Sequence, residues 1–518
     1  MPLVPEIDWP RFDPGDQVRV DPLRLPSMAP ACVRSLAMEP MSMSRAISMH
    51  AAERPHDPAL TCGEVTLSWQ EFDRRTNRLA RAFADLGVVP DDLVTIALPN
   101  STAFFESAFA LWKLGATPQP VSAKLPGREL EEIVELANSR LIVGVDSDRI
   151  QDRVCIPIGY EPDPSLSDAA LPDITTRCWK APTSGGSTGR PKIILASVPG
   201  EFDPERAGFG LPYHSTCVIP GVLYHNAPFS ISALALVGGN HVVNFPRFVP
   251  ELVLDAVTQH RPKYLYLVPT MMARIWKLPE EVRAAADMSS LDVAVHMAAP
   301  CATWLKQEWI DWVGPDVLCE LYAGTEVQAI TWITGREWLE HHGSVGRPIV
   351  GQMKVVGDDG ADLPPGVIGE IYMLADGGAG STYRYIGADP KPLGDTEWES
   401  LGDLGWMDED GYVYLADRRK DLILRGGANV YPAEVEAAID EHPSVRSCAV
   451  IGVADDDLGQ RVHAIVDAPD GVEEADLRSF LAERLVSYKC PATFEFVTDP
   501  VRDDAGKVRR SLLADERH

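Results

Sequence analysis

Thr183-Ser184-Gly185-Gly186-Ser187-Thr188-Gly189-Arg190-Pro191-Lys192 gathers glycines, hydroxyls and two cations in one short run. Glycine lets backbone N–H groups crowd an anion, hydroxyls add rotatable donors, and Arg190 and Lys192 add positive charge. The composition suits a polyphosphate, with ATP the first expectation. It is not a Walker loop, because Arg190-Pro191 follows Gly189 where Lys-[Ser/Thr] is required. No G-x-G-x-x-G opens a helix, which removes the dinucleotide reading. On composition alone a plain surface turn stays open.

The rest of the chain narrows the field. At 518 residues it exceeds one compact core, and length alone argues for about two to four domains. Apolar content of 45% and charged content of 24% are ordinary for a globular protein. There is no run of about 18 apolar residues, and the start, with Glu6, Asp8 and Asp13, lacks a signal-peptide layout. A cytoplasmic protein without an integral membrane segment is expected. The formal charge of −29 argues against nucleic acid, since the short basic runs Arg418-Arg419-Lys420 and Arg509-Arg510 have acids close by. An acidic surface can still hold ATP in a locally positive cleft, because solvent screens distant charge over about 8–10 Å. Nine scattered cysteines form no C-x-x-C pair, and twelve histidines form no H-E-x-x-H. Neither a disulfide framework nor a structural zinc site is expected.

Periodicity gives the organisation. Residues 1–45 are rich in Pro and Met without a steady period and read as an irregular arm. Phe72, Leu79, Ala80, Phe83 and Leu86 predict a helix from Trp69 that ends at Gly87. Strand 93–98, helix 103–114, helix 128–138 and strand 141–145 continue the alternation of a parallel sheet with helices on its faces. Strand 264–268 and helix 270–277 carry it past the glycine-rich run. After Gly343, short strands 352–356, 369–373 and 412–416, parted by Asp-Asp-Gly, Pro-Pro-Gly and Glu-Asp-Gly turns, predict a β-rich subdomain. The last hundred residues read helix 432–441, strands 445–453 and 461–467, helix 473–486 and strand 493–497. The expected division is an arm (1–45), a large α/β domain (46–417), a hinge (418–421) and a small α+β domain (422–518).

Further segments occur in the order of one family's motifs. These are Tyr224-His225-Asn226-Ala227-Pro228-Phe229, Ala298-Ala299-Pro300, Glu320-Leu321-Tyr322-Ala323-Gly324-Thr325-Glu326, Leu401-Gly402-Asp403, Asp417-Arg418-Arg419-Lys420-Asp421, Arg425-Gly426-Gly427 through Pro432, and Ala505-Gly506-Lys507. Together with the 183–192 loop they resemble the adenylate-forming superfamily over about residues 45–515, stand-alone acyl-CoA synthetases in particular. Two departures stand out. Gly185 replaces a usual hydroxyl residue, and Val501-Arg502-Asp503-Asp504 replaces the usual lead into the C-terminal lysine.

The resemblance implies a small mobile C-terminal domain and assigns roles that chemistry can justify. A free carboxylate resists nucleophiles, and joining it to AMP with loss of pyrophosphate makes its carbonyl attackable. That step brings two anions together, so cations and oriented donors must meet them. By resemblance Lys507 bridges carboxylate and α-phosphate, and Thr325 donates to the α-phosphate. Thr183, Ser184, Gly185, Gly186, Ser187, Thr188, Gly189 and Lys192 hold the leaving pyrophosphate. Ala299, Pro300, Glu320 and Tyr322 form the adenine side, and Asp403 and Arg418 meet the ribose. Glu326 holds Mg²⁺, a hard cation that takes oxygen ligands. Lys420 is the hinge about which the small domain turns, bringing Gly426 and Gly427 to the thiol channel of coenzyme A.

For the acyl pocket the resemblance marks His225, as gate or carboxylate contact, with Phe229, Ala298 and Gly324 as walls. Their apolar character implies a fatty, steroid side-chain or aryl acid. The expected activity is formation of an acyl-adenylate and then of acyl-CoA. An amine as acceptor, in a stand-alone amide synthetase, stays open, as does a non-catalytic nucleotide-binding regulator. A homodimer is compatible with the sequence.

Overall fold

The computed structural model describes residues 40–185, 191–203, 208–426, 428–455, 457–503 and 506–517. Most of the expected arm lies outside these residues, but regular structure begins before residue 46. Ser42 accepts the Arg45 N–H and caps the helix Met43–Glu53, which buries Met43, Ala46, Ile47 and His50. The methionine-rich composition had hidden that helical spacing.

Parallel strands bury both faces and therefore read as continuous apolar runs. Thr216–Val218, His241–Asn244, Tyr264–Leu267, Val293–Met297 and Leu318–Ala323 are such strands, almost wholly buried, in a 13-stranded sheet. Leu318–Ala323 pairs antiparallel with Ile330–Thr334, and from there the sheet continues antiparallel through 344–350, 413–418, 399–407, 369–374 and 352–356. The β-rich subdomain expected after Gly343 is this continuation of the large sheet. A second, four-stranded parallel sheet holds Leu93–Ile96 and Leu141–Val143. The helix Trp69–Asp85 starts with a reciprocal Ser68–Glu71 capping box and ends before Gly87, whose φ is +92°.

The two ends of the glycine-rich run are strands. Thr183–Gly185 pairs antiparallel with Pro191–Ala196, which pairs in turn with Tyr383–Ile386. The expectation for this segment was a loop only; its flanks are strands.

The C-terminal unit encloses its own apolar cluster, including Val430, Val435, Ile439, Val450, Val462, Leu477 and Leu481. Ser447–Asp455 and Gly459–Asp467 form its long antiparallel pair, with Thr493–Val497 added in parallel. Its second helix, expected to reach 486, ends at Ala482. Among the described residues no helix is long and apolar enough to cross a membrane.

Gly351 joins strands 344–350 and 352–356 at φ +64°, and a Cβ there would lie 2.2 Å from the Gln328 carbonyl oxygen. Backbone cannot yield as a side chain can, so Gly351→Ala should cost more than about 2 kcal/mol. A lowered urea midpoint checks this, and an unchanged midpoint would show that the turn relaxes.

Candidate functional site

In open parallel sheets, ligands collect beyond the carboxyl ends of the strands. Here that edge carries the motifs in sheet order. His225 follows Thr216–Val218, Thr270 follows Tyr264–Leu267, Ala298–Pro300 follow Val293–Met297, and Gly324–Glu326 follow Leu318–Ala323. Two non-glycine residues at this edge sit in left-handed backbone, Ala298 at φ +74° and Val327 at +57°. For a β-branched residue such as Val327 that is strained, and strain of this kind gathers at functional sites. Ala298 and Pro300 are exposed along the edge, with Ala299 half-buried between them.

Asp403 and Arg418 are cross-strand partners, so their meeting is set by register. Arg418 Nε lies 3.1 Å from Asp403 Oδ1, and the Tyr322 hydroxyl donates to Oδ2 at 2.7 Å. The neighbouring carboxylate raises the Arg418 pKa. Tyr322 thus holds the expected ribose carboxylate. Glu320, two residues back, is buried against Lys306, with His296 Nε2 3.9 Å away, beneath the strand edge.

Glu326 is buried, with Lys192 Nζ at 3.1 Å and the Tyr385 hydroxyl donating at 2.5 Å to the same oxygen. Lys192 also lies 3.9 Å from the Tyr385 ring centroid. Tyr385 is brought here because it pairs with Ile194 on the strand that begins at Pro191. No cluster of three or more His, Cys, Asp or Glu ligands occurs among the described residues. A single carboxylate suits Mg²⁺ that arrives with phosphate oxygens and keeps its waters. A Cβ on Gly324 would sit 2.2 Å from Leu401 Cδ1 and 3.0 Å from Glu326 Oε2, so a side chain there would displace Leu401 and crowd the Glu326 carboxylate. Thr325 lies half-buried in the turn between them. Of the residues expected to hold phosphate, Thr183, Ser184, Gly185 and Lys192 are placed on the paired strands, while Gly186, Ser187, Thr188 and Gly189 lie outside the described residues. The Thr183 hydroxyl accepts from Gln119 Nε2 at 2.7 Å.

The unusual lead into Lys507 is firmly built. Arg502 and Arg510, on either side of it, both reach Glu436 at 2.7 Å, and Arg510 also reaches Asp421 at 2.9 Å. Asp503 closes the turn, its side chain accepting the Lys507 N–H at 2.8 Å and its carbonyl the Gly506 N–H at 2.8 Å. Gly506 is buried at φ +74° with Thr270 3.0 Å from where a Cβ would stand. The turn is therefore seated against the large domain. Lys507 remains open to solvent along one side, yet desolvation lowers its pKa, with Asp503 opposing; Arg418 lowers it further and Glu326 opposes.

His225 faces the same turn, its Nε2 3.7 Å from Asp503 Oδ2. Burial and the Lys507 charge pull its pKa down to about 3, so it is neutral here near pH 7. Phe229, expected as a wall, is buried edge-on against Phe104, at 6.0 Å between ring centroids, and also touches Trp112. It supports the His225 helix, Asn226–Val237, from the core side. Lys420 sits in a short 3₁₀ turn, 419–421, that links the last strand of the large sheet to the C-terminal unit. Gly426 is exposed at φ +56° and donates to the Leu458 carbonyl, while Gly427 lies outside the described residues.

Sequence reading missed Tyr385, Glu436 and Lys180. The first two come from distant strands and helices, and only pairing or packing reveals them. Lys180 stood beside the phosphate motif, three residues before Thr183, where its charge inside an otherwise buried segment was the available signal.

The family model described as AMP-binding enzyme matches residues 47–380, and that of the AMP-binding enzyme C-terminal domain matches 434–507. The chain is 30% identical to a feruloyl-CoA synthase of Amycolatopsis, over 88% of this chain and 94% of the relative. It is 28% identical to a fatty acid–[acyl-carrier-protein] ligase of Streptomyces coeruleorubidus, over 90% and 95%. Among solved structures, an O-succinylbenzoate coenzyme A synthetase of Bacillus subtilis, in complex with ATP and magnesium ion, superposes with a TM-score of 0.76 at 23% identity, covering 92% of this chain and 100% of that one.

Glu436→Ala leaves two guanidiniums facing each other in the interior, and should lower the stability of the C-terminal unit by about 3–5 kcal/mol. Denaturant unfolding followed in that unit reads the loss, and a change under about 1 kcal/mol would show the clamp to be incidental. The His225 pKa gives a pH sign. Held at about 3 against an ordinary 6.5, it makes protonation oppose the docked arrangement as pH falls from 6.5 toward 3, by up to about tenfold per unit. ATP-dependent turnover should show that acid limb, and His225→Gln should flatten it; an unaltered limb would assign it elsewhere.

Proposed function

The chain belongs to the AMP-binding enzyme family, and from that premise we propose that it activates an apolar carboxylic acid with ATP, releases pyrophosphate, and passes the acyl group to coenzyme A. The observation that supports the adenylation step is the seating of the residues around Lys507 on the large domain, with Gly506 against Thr270 and Asp503 Oδ2 3.7 Å from His225 Nε2. A carboxylate and an α-phosphate repel each other until a cation stands between them. Lys507 is a cation on a flexible stem at that place, its backbone N–H held by Asp503. Desolvation strengthens its field on any anion beside it.

The other residues take roles that follow from their placement. Asp403, fixed by Tyr322 and Arg418, presents a carboxylate to a ribose hydroxyl. Glu326, with Lys192, would hold Mg²⁺ and the triphosphate, and the metal supplies neutralisation of phosphate charge when bound. Lys192 would then exchange Glu326 for the pyrophosphate oxygens. Neutral His225 stands at the mouth of the acyl pocket, where a charged imidazolium would add to the cation of Lys507.

The acceptor step needs Lys507 withdrawn, because the thiol must reach the same carbonyl. Turning of the unit 422–518 about Lys420 would do this and carry Gly426-Gly427 toward the cleft. Coenzyme A as acceptor is supported by the feruloyl-CoA synthase at 30% identity. A carrier-protein thiol, as in the name of the Streptomyces relative, or an amine uses the same adenylate.

The test is pyrophosphate release with decanoate, a cholanoate, benzoate, ferulate and decanedioate, each without acceptor and with coenzyme A, simple amines or a holo carrier protein. Turnover stimulated only by amines or carrier protein would overturn the coenzyme A assignment, and no acid-dependent release would overturn adenylation. Lys507→Ala should slow adenylation by about a thousandfold while converting supplied acyl-adenylate at close to the normal rate. Equal loss of both half-reactions would refute the division of labour.

A further inference from the structure

Lys113, Lys180 and Lys306 are the lysines buried among the described residues, at 3%, 5% and 1% exposure. Lys113 Nζ sits 2.6 Å from Asp73, and Lys306 is paired with Glu320. Lys180 is the exception. Its Nζ donates to Asn226 Oδ1 at 2.6 Å and to Ser230 Oγ at 2.9 Å, both neutral, and lies 4.5 Å from the Trp179 ring centroid. No carboxylate comes within ion-pair distance of it among the described residues.

The surroundings deepen the mismatch. Asn226 and Ser230 belong to the first turns of the helix Asn226–Val237, whose first turn carries no acidic residue. The positive end of that helix and a buried ammonium are therefore neighbours without an ion-paired carboxylate among the described residues. Burial pulls the lysine down to about 7, while the Cys178 and Glu326 charges oppose that shift. An ammonium has three N–H donors, and two are engaged here. His225, which lies 3.7 Å from Asp503, immediately precedes Asn226, so this cluster stands one residue from the group expected at the acyl pocket.

Resting on the carboxylate-activating reading above, we propose that Lys180, with Asn226 and Ser230, is a carboxylate-binding station of the acyl site. The substrate anion completes the coordination of the buried ammonium. Two sources can supply that anion, the carboxylate about to be adenylated or a second carboxylate on a dicarboxylic acid. No bond is made or broken at Lys180; it is a specificity-determining residue that recognises a charged oxygen.

The experiment compares wild type with Lys180→Met, Lys180→Gln and Lys180→Arg, using the acid of the panel that gives the fastest pyrophosphate release. Equilibrium binding of that acid and of its carboxamide is measured without ATP, alongside ATP affinity as a check of folding. Wild type should prefer the carboxylate by about tenfold or more, the worth of a charge-assisted bond, and the Met and Gln variants should lose that preference while Arg retains it. ATP affinity should stay within about twofold, as for a residue outside the nucleotide contacts. If Lys180→Met does not fold, the Gln variant decides. Decanedioate against its monomethyl ester separates the sources: a preference lost only there assigns the second carboxylate, and one lost for monoacids assigns the reacting one. A carboxylate preference kept by the neutral variants overturns the proposal while leaving adenylation standing. Absence of acid-dependent release from wild type overturns the earlier reading instead.

Discussion

A carboxylate and a triphosphate repel one another, and in the proposed reaction the cleft has to offset that repulsion. At an effective dielectric of about 20, two unit charges 4 Å apart interact by about 4 kcal/mol, enough to exclude the pair from an unprepared site. Lys192, Arg418 and Lys507 stand around the space where they would meet, while Glu326 and Asp403 keep those cations from repelling each other before anything is bound. In the proposed reaction the ion pairs seen here are exchangeable, each carboxylate holding a cation that a phosphate or carboxylate of the substrates would take over.

Exchange of that kind demands rigid backbone under mobile tips. Register supplies it for Asp403 and Arg418, which are cross-strand partners. For Lys507 the rigidity comes from Glu436, which receives Arg502 and Arg510 from both flanks of the turn. Arg510 extends the grip to Asp421, next to the hinge residue. All of these groups lie beyond Lys420, so a turn of the C-terminal unit would carry the clamp whole and leave the geometry of the lysine turn intact.

The motifs at 183–192, 320–326, 403 and 507 could be picked out in the sequence because Gly, hydroxyls and a few charges recur there in a fixed order. Strand-and-helix alternation in the large unit was legible for a similar reason, since buried parallel strands and amphipathic helices each force a period. What remained hidden depends on distance along the chain. Tyr385 acquires meaning only because its strand pairs with that of Lys192, and Glu436 only because its helix packs under the Arg502 turn. Phe229 shows a further limit. Its place in a motif marked it as pocket wall, whereas α-helical geometry turns it toward Phe104 and Trp112. Sequence order says which residues are near a site, but the helix phase decides which of them face it.

Desolvation ties the charge states of the site to the position of the small unit. His225 and Lys507 both have lowered pKa values, each chiefly by burial, and the Lys507 charge lowers His225 further. The seating of Gly506 on Thr270 and of Asp503 beside His225 contributes to both. Withdrawing those residues would relieve the desolvation of Lys507 and let His225 rise toward its ordinary value. The two arrangements of the proposed cycle then differ in the cost of holding charge as well as in shape. The docked one is favoured by the anions that Lys507 meets there. Once the carboxylate charge has gone into the adenylate and pyrophosphate has left, less anionic charge remains to hold a desolvated ammonium in the cleft. Loss of that attraction is a physical reason for the lysine to leave after the first step rather than before it.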